Sequence, residues 1–402
     1  MGLFYSLALI VLGLGILSLR DGVRFAKYIR RETARHLAAF TPFVSVIAPC
    51  RGQDQGLRDN LAALFQQDYP AYEIIFVTDS ATDSSLRVIE EARQSAPKGK
   101  EVSAHVLIAG EAPDSGQKVH NLRVAVGQIS FRSEVLVFVD SDARPDEKWL
   151  RKLVAPLQSQ EIGAATGYRW FIPVRGGLAS SLLSVWNGSI ASALGERGQK
   201  NFCWGGSTAI RRETFERLSI GERWRGTVSD DFTLTRILHE AKLPIHFVPA
   251  CLIASFEDCS FAELIEFTSR QLKITRVYAA HLWKPVLIGS LLFSSVFFGG
   301  LALVVVRAAL GLSSGLLLTL LGAIFLLGSA KAYLRLRAVS VPLARYRTQL
   351  RRSLPAHLFL WPIASLLYLY NAIAAGASRQ IEWRGITYEL KSPTEAVIIS
   401  RK

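Results

Sequence analysis

Four stretches of this chain carry no formal charge: residues 1–19, 285–306, 308–330 and 353–378, the last containing His357. A helix that crosses lipid needs about 17 to 25 predominantly apolar residues, and each stretch comes close to that length. Backbone polar groups in a bilayer must pair within the segment, so these runs predict helices at both ends of the chain. Pro355 and Pro362 interrupt the last run and make it a candidate for a broken or re-entrant helix. Three or four crossings are therefore open. Between the apolar ends, residues from about 40 to 284 have the mixed composition of a globular domain.

The formal net charge is +14 over 402 residues, and the cations cluster beside the apolar runs. Arg20, Arg24, Lys27, Arg30, Arg31 and Arg35 follow the first run. By the positive-inside rule they place the globular domain in the cytoplasm, with a bacterial inner membrane as the expected location. Lys331, Arg335, Arg337, Arg345, Arg347, Arg351 and Arg352 mark a second basic loop. Four crossings would put the basic tail after Arg379 on the opposite face, against the same rule. The first run lacks a basic leader and a clear small-residue cleavage site, so it reads as an uncleaved anchor rather than a signal peptide. This charge suits anionic headgroups, and no nucleic-acid motif accompanies it. Cys50, Cys203, Cys251 and Cys259 show no zinc-like pairing.

In the middle of the chain, short apolar runs alternate with helical patterns. VSVIAP, 44–49, is followed by helical spacing from Leu57 to Phe65, and EIIFVTD, 73–79, by a polar helix around 86–92. A third strand near 102–108 and a helical stretch from 118 to 129 lead to VLVFVDSD, 135–142. Such alternation predicts a parallel sheet covered on both faces, with ligands at the carboxyl ends of its strands. Asp79, Asp140 and Asp142 stand at those ends. If the extended geometry persists through Ser141, Asp140 and Asp142 project to one side and repel unless a cation or shared proton offsets them. Mg²⁺ or Mn²⁺ suits such a pair, because hard ions take oxygen ligands and keep positions for substrate phosphates. A solvated turn is the plainer alternative for an isolated Asp-x-Asp.

These pieces, in this order, resemble the inverting glycosyltransferases of the GT-A fold, family 2/21, in the branch that includes ceramide glucosyltransferase. The resemblance implies an α/β nucleotide-diphospho-sugar transferase domain with a mainly parallel sheet, spanning 41–284. An N-terminal and two to three C-terminal transmembrane helices would flank it. VSVIAPCRGQ resembles the loop that wraps the nucleotide, with Pro49 and Arg51, and EIIFVTDSATDSS the strand whose Asp79 holds uracil or ribose. SGQKVHNL is similar to the segment in which Lys118 and Asn121 face the diphosphate and sugar. VDSD corresponds to the metal motif, Asp140 and Asp142, and FCWGGSTAIRRE to a donor and acceptor segment with Gly205 and Gly206. SDDFTL supplies Asp230 and Asp231, the second being the general base by resemblance. From the residues alone, Asp230 and Asp231 could equally begin a helix whose dipole favours acid.

The family's usual Gln- or Arg-x-x-Arg-Trp becomes Arg270, Gln271, Leu272, Lys273 and Ile274 here. Arg270 and Lys273 would balance the departing diphosphate, and the missing tryptophan argues against a polymer product. IEWRGITY, 381–388, is similar to a Trp-Arg-Gly-x-x-Tyr ending of related membrane transferases, with no mechanism attached. The expectation is therefore a metal-dependent transfer of a hexose, glucose by resemblance, from a UDP-sugar to a membrane lipid with inversion. A processive polysaccharide synthase and a catalytically silent scaffold are the alternatives.

Overall fold

The computed structural model describes residues 1–35, 39–94 and 101–402. The first apolar run forms α1 (Gly2–Thr33), which continues through the basic residues that follow. Then come β1 (Val44–Pro49), α2 (Leu57–Phe65), β2 (Ala71–Thr78), α3 (Ser85–Gln94), β3 (Glu101–Ile108), α4 (Gln117–Val126) and β4 (Val135–Phe138). These match the alternation in the sequence, because each element has its own hydrophobic period. Beyond them lie α5 (Trp149–Val154), β5 (Ala164–Ile172), α6 (Leu178–Ala191), β6 (Thr208–Arg211), α7 (Arg212–Arg217), α8 (Ile220–Arg223), α9 (Asp230–Glu240) and β7 (Ile245–Phe256). The C-terminal third holds α10 (Phe261–Tyr278), α11 (Ala280–Ala309), α12 (Gly315–Val339), α13 (Arg347–Arg352), α14 (Leu354–Phe359) and α15 (Trp361–Ala377). It closes with β8 (Gln380–Trp383), β9 (Ile386–Ser392) and β10 (Glu395–Arg401).

The chain divides into two compact units, each discontinuous in sequence. A sheet unit gathers residues 31–170, 194–255 and 379–402, and a helical unit gathers 1–30, 171–193 and 256–378.

Among the described residues, the sheet unit carries a seven-stranded sheet in the order β3-β2-β1-β4-β6-β5-β7 and a three-stranded sheet, β10-β9-β8. β3, β2, β1 and β4 run parallel, whereas β6 is antiparallel to both β4 and β5. Strand order reverses between β1 and β4, and at such a switch point the flanking loops part and leave a crevice at the carboxyl ends. β1 and β4 are buried along nearly their whole length, as β-branched strands covered on both faces should be. Trp224 meets Phe138 and Phe215 edge-to-face with centroids 5.4 Å apart, and the two phenylalanine rings lie tilted at 6.1 Å.

Within the helical unit, among the described residues, α1, α11 and α12 are the three helices long and apolar enough to cross a membrane. The fourth apolar run breaks at Leu360 into α14 and α15, with Pro355 and Pro362 each in a first helical turn. Proline costs little there because the first N–H groups have no intrahelical acceptor. α6 is a core helix: Leu182, Leu183 and Trp186 bury against Leu264 and Leu272 of α10 and Leu367 of α15. Trp186 also stacks on Tyr368 at 5.3 Å, and the Tyr368 hydroxyl donates to the Trp186 carbonyl at 2.9 Å. Ser260 and Glu263 close a capping box at the start of α10, a device worth about 1 kcal/mol.

Candidate active site

Asp140 and Asp142 do not reach one side by strand alternation. β4 ends at Phe138, and the chain turns, with the Ala143 N–H donating to the Asp140 carbonyl at 3.0 Å. α2 holds the turn: Asn60 Nδ2 donates to the Ser141 carbonyl at 3.1 Å while Arg144 Nε donates to Asn60 Oδ1 at 3.0 Å. The two carboxylates still converge, because both face one guanidinium. Arg169 lies 3.1 Å from Asp142 Oδ2 and 3.5 Å from Asp140 Oδ2. Arg169 is a site residue that the sequence reading missed. Its signal was present: one cation inside AATGYRWFI, the otherwise uncharged and mostly buried strand β5.

A second cation closes the cluster. Lys118 Nζ sits 2.7 Å from Asp140 Oδ1 and 3.2 Å from Asp230 Oδ1, bridging α4 to the start of α9. Burial disfavours the Lys118 charge, but the carboxylates of Asp140, Asp230 and Asp231 outweigh it and hold the ammonium above the usual lysine range. Burial also works against the Asp140 carboxylate, yet Lys118 and Arg169 keep it below the ordinary aspartate range. At Asp230 the balance tips the other way. Burial, helped by the charges of Asp231 and Asp140, pushes its carboxyl up to about 6 against the pull of Lys118. Asp231 is more exposed than Asp230. The Ser229 hydroxyl donates to its Oδ1, as does the Phe232 N–H at 2.7 Å. The Ser229 hydroxyl also accepts from the Phe232 N–H and so caps α9.

Gly205 is explained by this pair. A Cβ there would stand 2.6 Å from Asp230 Oδ2 and 2.7 Å from Lys118 Nζ, so the missing side chain makes room for the bridge. At Gly206 a Cβ would lie 2.2 Å from the Trp204 ring, and the Arg169 guanidinium covers that ring at 4.9 Å. Trp204 is only 8% exposed and serves as a floor beneath Arg169.

Pro49 ends β1, and Arg51, just beyond it, pairs with Asp79 at 3.3 Å across the ends of β1 and β2. Asn121 follows Lys118 by one helical turn but is buried, its Oδ1 accepting from Gln117 Nε2 at 2.8 Å. The structure therefore brings Arg51 and Asp79 together as one pair, and Lys118, Asp140, Asp142, Gly205 and Asp230 together as one cluster, to which it adds Arg169. Arg270 and Lys273 belong to α10 in the helical unit, where Arg270 pairs with Glu266 at 3.3 Å.

No group of three or more His, Cys, Asp or Glu side chains suited to a metal occurs among the described residues. Asp142 Oδ1, however, is buried without a hydrogen-bond partner. One or two carboxylates and an unpaired oxygen fit Mg²⁺ or Mn²⁺, which take the rest of their ligands from water and substrate phosphates.

Ceramide glucosyltransferase 3 of Caenorhabditis elegans is 30% identical over 105 residues, 25% of this chain and 22% of that protein. Ceramide glucosyltransferase 1 of the same organism is 33% identical over 108 residues, 26% of this chain and 22% of the relative. The matched segment thus spans only about a fifth of the length of these relatives. Mannosyltransferase PcManGT from Pyrobaculum calidifontis, solved in complex with GDP-Man and Mn²⁺, is 16% identical with a TM-score of 0.48, covering 93% of this chain and 98% of its own. The family model described as Glycosyl transferase family 21 matches residues 3–396, and on that near-complete match the chain belongs to glycosyl transferase family 21.

Proposed function

We propose that this glycosyltransferase moves a hexose, glucose by its relation to the ceramide glucosyltransferases, from a UDP-sugar to a hydroxyl of a membrane lipid with inversion. The observation that carries this reading is the carboxylate cluster at the switch point. Asp140, Asp142 and Asp230 are gathered around Lys118 and Arg169, and Asp231 stands beside them with more exposure to solvent. A divalent ion held by Asp142, with Asp140, would neutralise diphosphate charge and make UDP a better leaving group.

The chain's own residues supply the rest. Arg51 and Asp79 take the nucleoside end, and Lys118 and Arg169 balance the charge that grows on the diphosphate. Asp231 accepts the proton of the acceptor hydroxyl as that oxygen bonds to the anomeric carbon and the bond to the diphosphate oxygen breaks. The α-linked donor then yields a β-glycoside and UDP. Arg270 and Lys273 are further candidates for the leaving diphosphate. Three apolar helices support a lipid acceptor, and the basic residues after the first apolar run support a catalytic unit on the cytoplasmic face.

The test uses membranes containing the full chain, a panel of radiolabelled UDP-sugars, and chromatography of the extracted lipids. We expect one donor to label a lipid, a chelator to abolish labelling, and Asp231→Asn to slow it by about 10²- to 10⁴-fold, the usual contribution of a general base. No labelled lipid with any donor, or near-normal turnover by the asparagine variant, would sink the reading of acceptor or base respectively.

A further inference from the structure

The motif without a role, IEWRGITY, folds onto the sheet unit. Trp383 pairs with Ile386, so β8 and β9 are joined by the two-residue turn Arg384–Gly385. Both turn residues have positive φ, 53° and 75°. Hairpin turns of this form favour Asn-Gly, and a long cation at the first position is an unusual choice that local propensity does not explain.

Arg384 is aimed at the loop after β1. Its two terminal nitrogens donate to Asp54 Oδ1 at 2.7 Å and Asp54 Oδ2 at 2.5 Å, and Nη1 also reaches the Arg51 carbonyl at 3.3 Å. After Asp54, the carboxylates that act on its charge are Asp142 and Asp140. The side chain is 41% exposed, so part of the guanidinium is open to a ligand. Four further contacts tie this small sheet to the segments that carry the candidate site. The Gln117 N–H, at the start of α4, donates to the Tyr388 hydroxyl at 3.1 Å. Arg401 donates to Gln117 Oε1 at 3.2 Å and to the Ala112 carbonyl at 2.6 Å. The Thr394 carbonyl approaches Gly226 so closely that a Cβ there would lie 2.4 Å away. Thus the tail grips the segments leading to Lys118 and Asp230 while presenting Arg384 beside Arg51.

We propose that the C-terminal sheet is part of the donor site and that Arg384 binds the diphosphate of the nucleotide-sugar, exchanging its hold on Asp54 for the phosphate oxygens. A guanidinium fork suits such oxygens in the same two-point geometry it uses here with a carboxylate. The proposal rests on the donor reading given above. It adds to that reading a ligand from the far end of the chain.

The test is calorimetric titration of the full-length protein in lipid nanodiscs with UDP and Mn²⁺, with thermal midpoints measured in parallel. Arg384→Gly suits the turn and should keep the thermal midpoint while weakening UDP by about 10- to 100-fold, as expected for lost charge-assisted hydrogen bonds. Arg384→Lys keeps charge without the fork and should fall between that variant and the parent. Asp54→Asn removes the competing carboxylate and should leave UDP affinity within about twofold of the parent, or raise it. Parent-like affinity in Arg384→Gly overturns the proposal. So does an Asp54→Asn loss as large as that of Arg384→Gly, because the arginine would then merely pin the loop. If the parent binds no UDP, the donor reading fails, and this proposal with it.

Discussion

At the scale of single residues, the site is built from compensated charge. Two carboxylates one residue apart signal a cation in the sequence, and the structure supplies two from the protein itself, Lys118 and Arg169. Lys118 was visible beforehand through its motif, whereas Arg169 showed only as a lone cation in an apolar run, and nothing in a strand pattern says which face of a sheet meets which loop. Gly205 gives the sharpest test. A methyl group there would displace the ends of two side chains, Lys118 Nζ and Asp230 Oδ2, rather than backbone. Gly205→Ala should therefore fold with a nearly unchanged thermal midpoint yet lose about 10²-fold in transfer rate, the scale of a misplaced catalytic group. Wild-type turnover in a folded Gly205→Ala enzyme would show that the Lys118–Asp230 bridge does not matter to the reaction.

At the scale of elements, the strands and helices that have a strong local period stand where the sequence reading places them. β1, β2, β3 and β4 and the intervening helices follow directly from apolar runs and helical spacing. The tail is the contrast: its sequence offered only a motif without a mechanism, and its partners lie far away in the chain, Gln117 being 271 residues from Tyr388. Tyr388 is 2% exposed, so its hydroxyl is the acceptor for a backbone N–H that water does not serve. Tyr388→Phe should lower stability by about 1–3 kcal/mol, the cost of an orphaned buried donor. A thermal-unfolding experiment that finds no loss would mean that α4 does not depend on the tail for its first turn.

At the scale of the whole molecule, three helices are long and apolar enough to cross a membrane, and three crossings would satisfy the charge rule that four would break. With α1, α11 and α12 as the spanning helices, the chain after α12 returns to the face on which the sheet unit emerges from α1, and β8–β10 belong to that same unit. In sealed vesicles of a Cys259→Ser background, a cysteine at Phe131, which is 91% exposed, and a tag after Lys402 should be reached from one side. A cysteine at Leu312, between α11 and α12, should be reached from the other. Labelling of all three positions from a single side would exclude the three-span arrangement. The sequence by itself determined the apolar helices, the alternating strands and the acidic strand ends, because hydrophobic period and charge are local properties of a chain. Only the tertiary structure decided that Arg169 and Lys118 compensate the aspartates and that Arg384 arrives from the C-terminus. Each of those depends on segments far apart in sequence meeting in space, where packing and desolvation, rather than pattern, set the outcome.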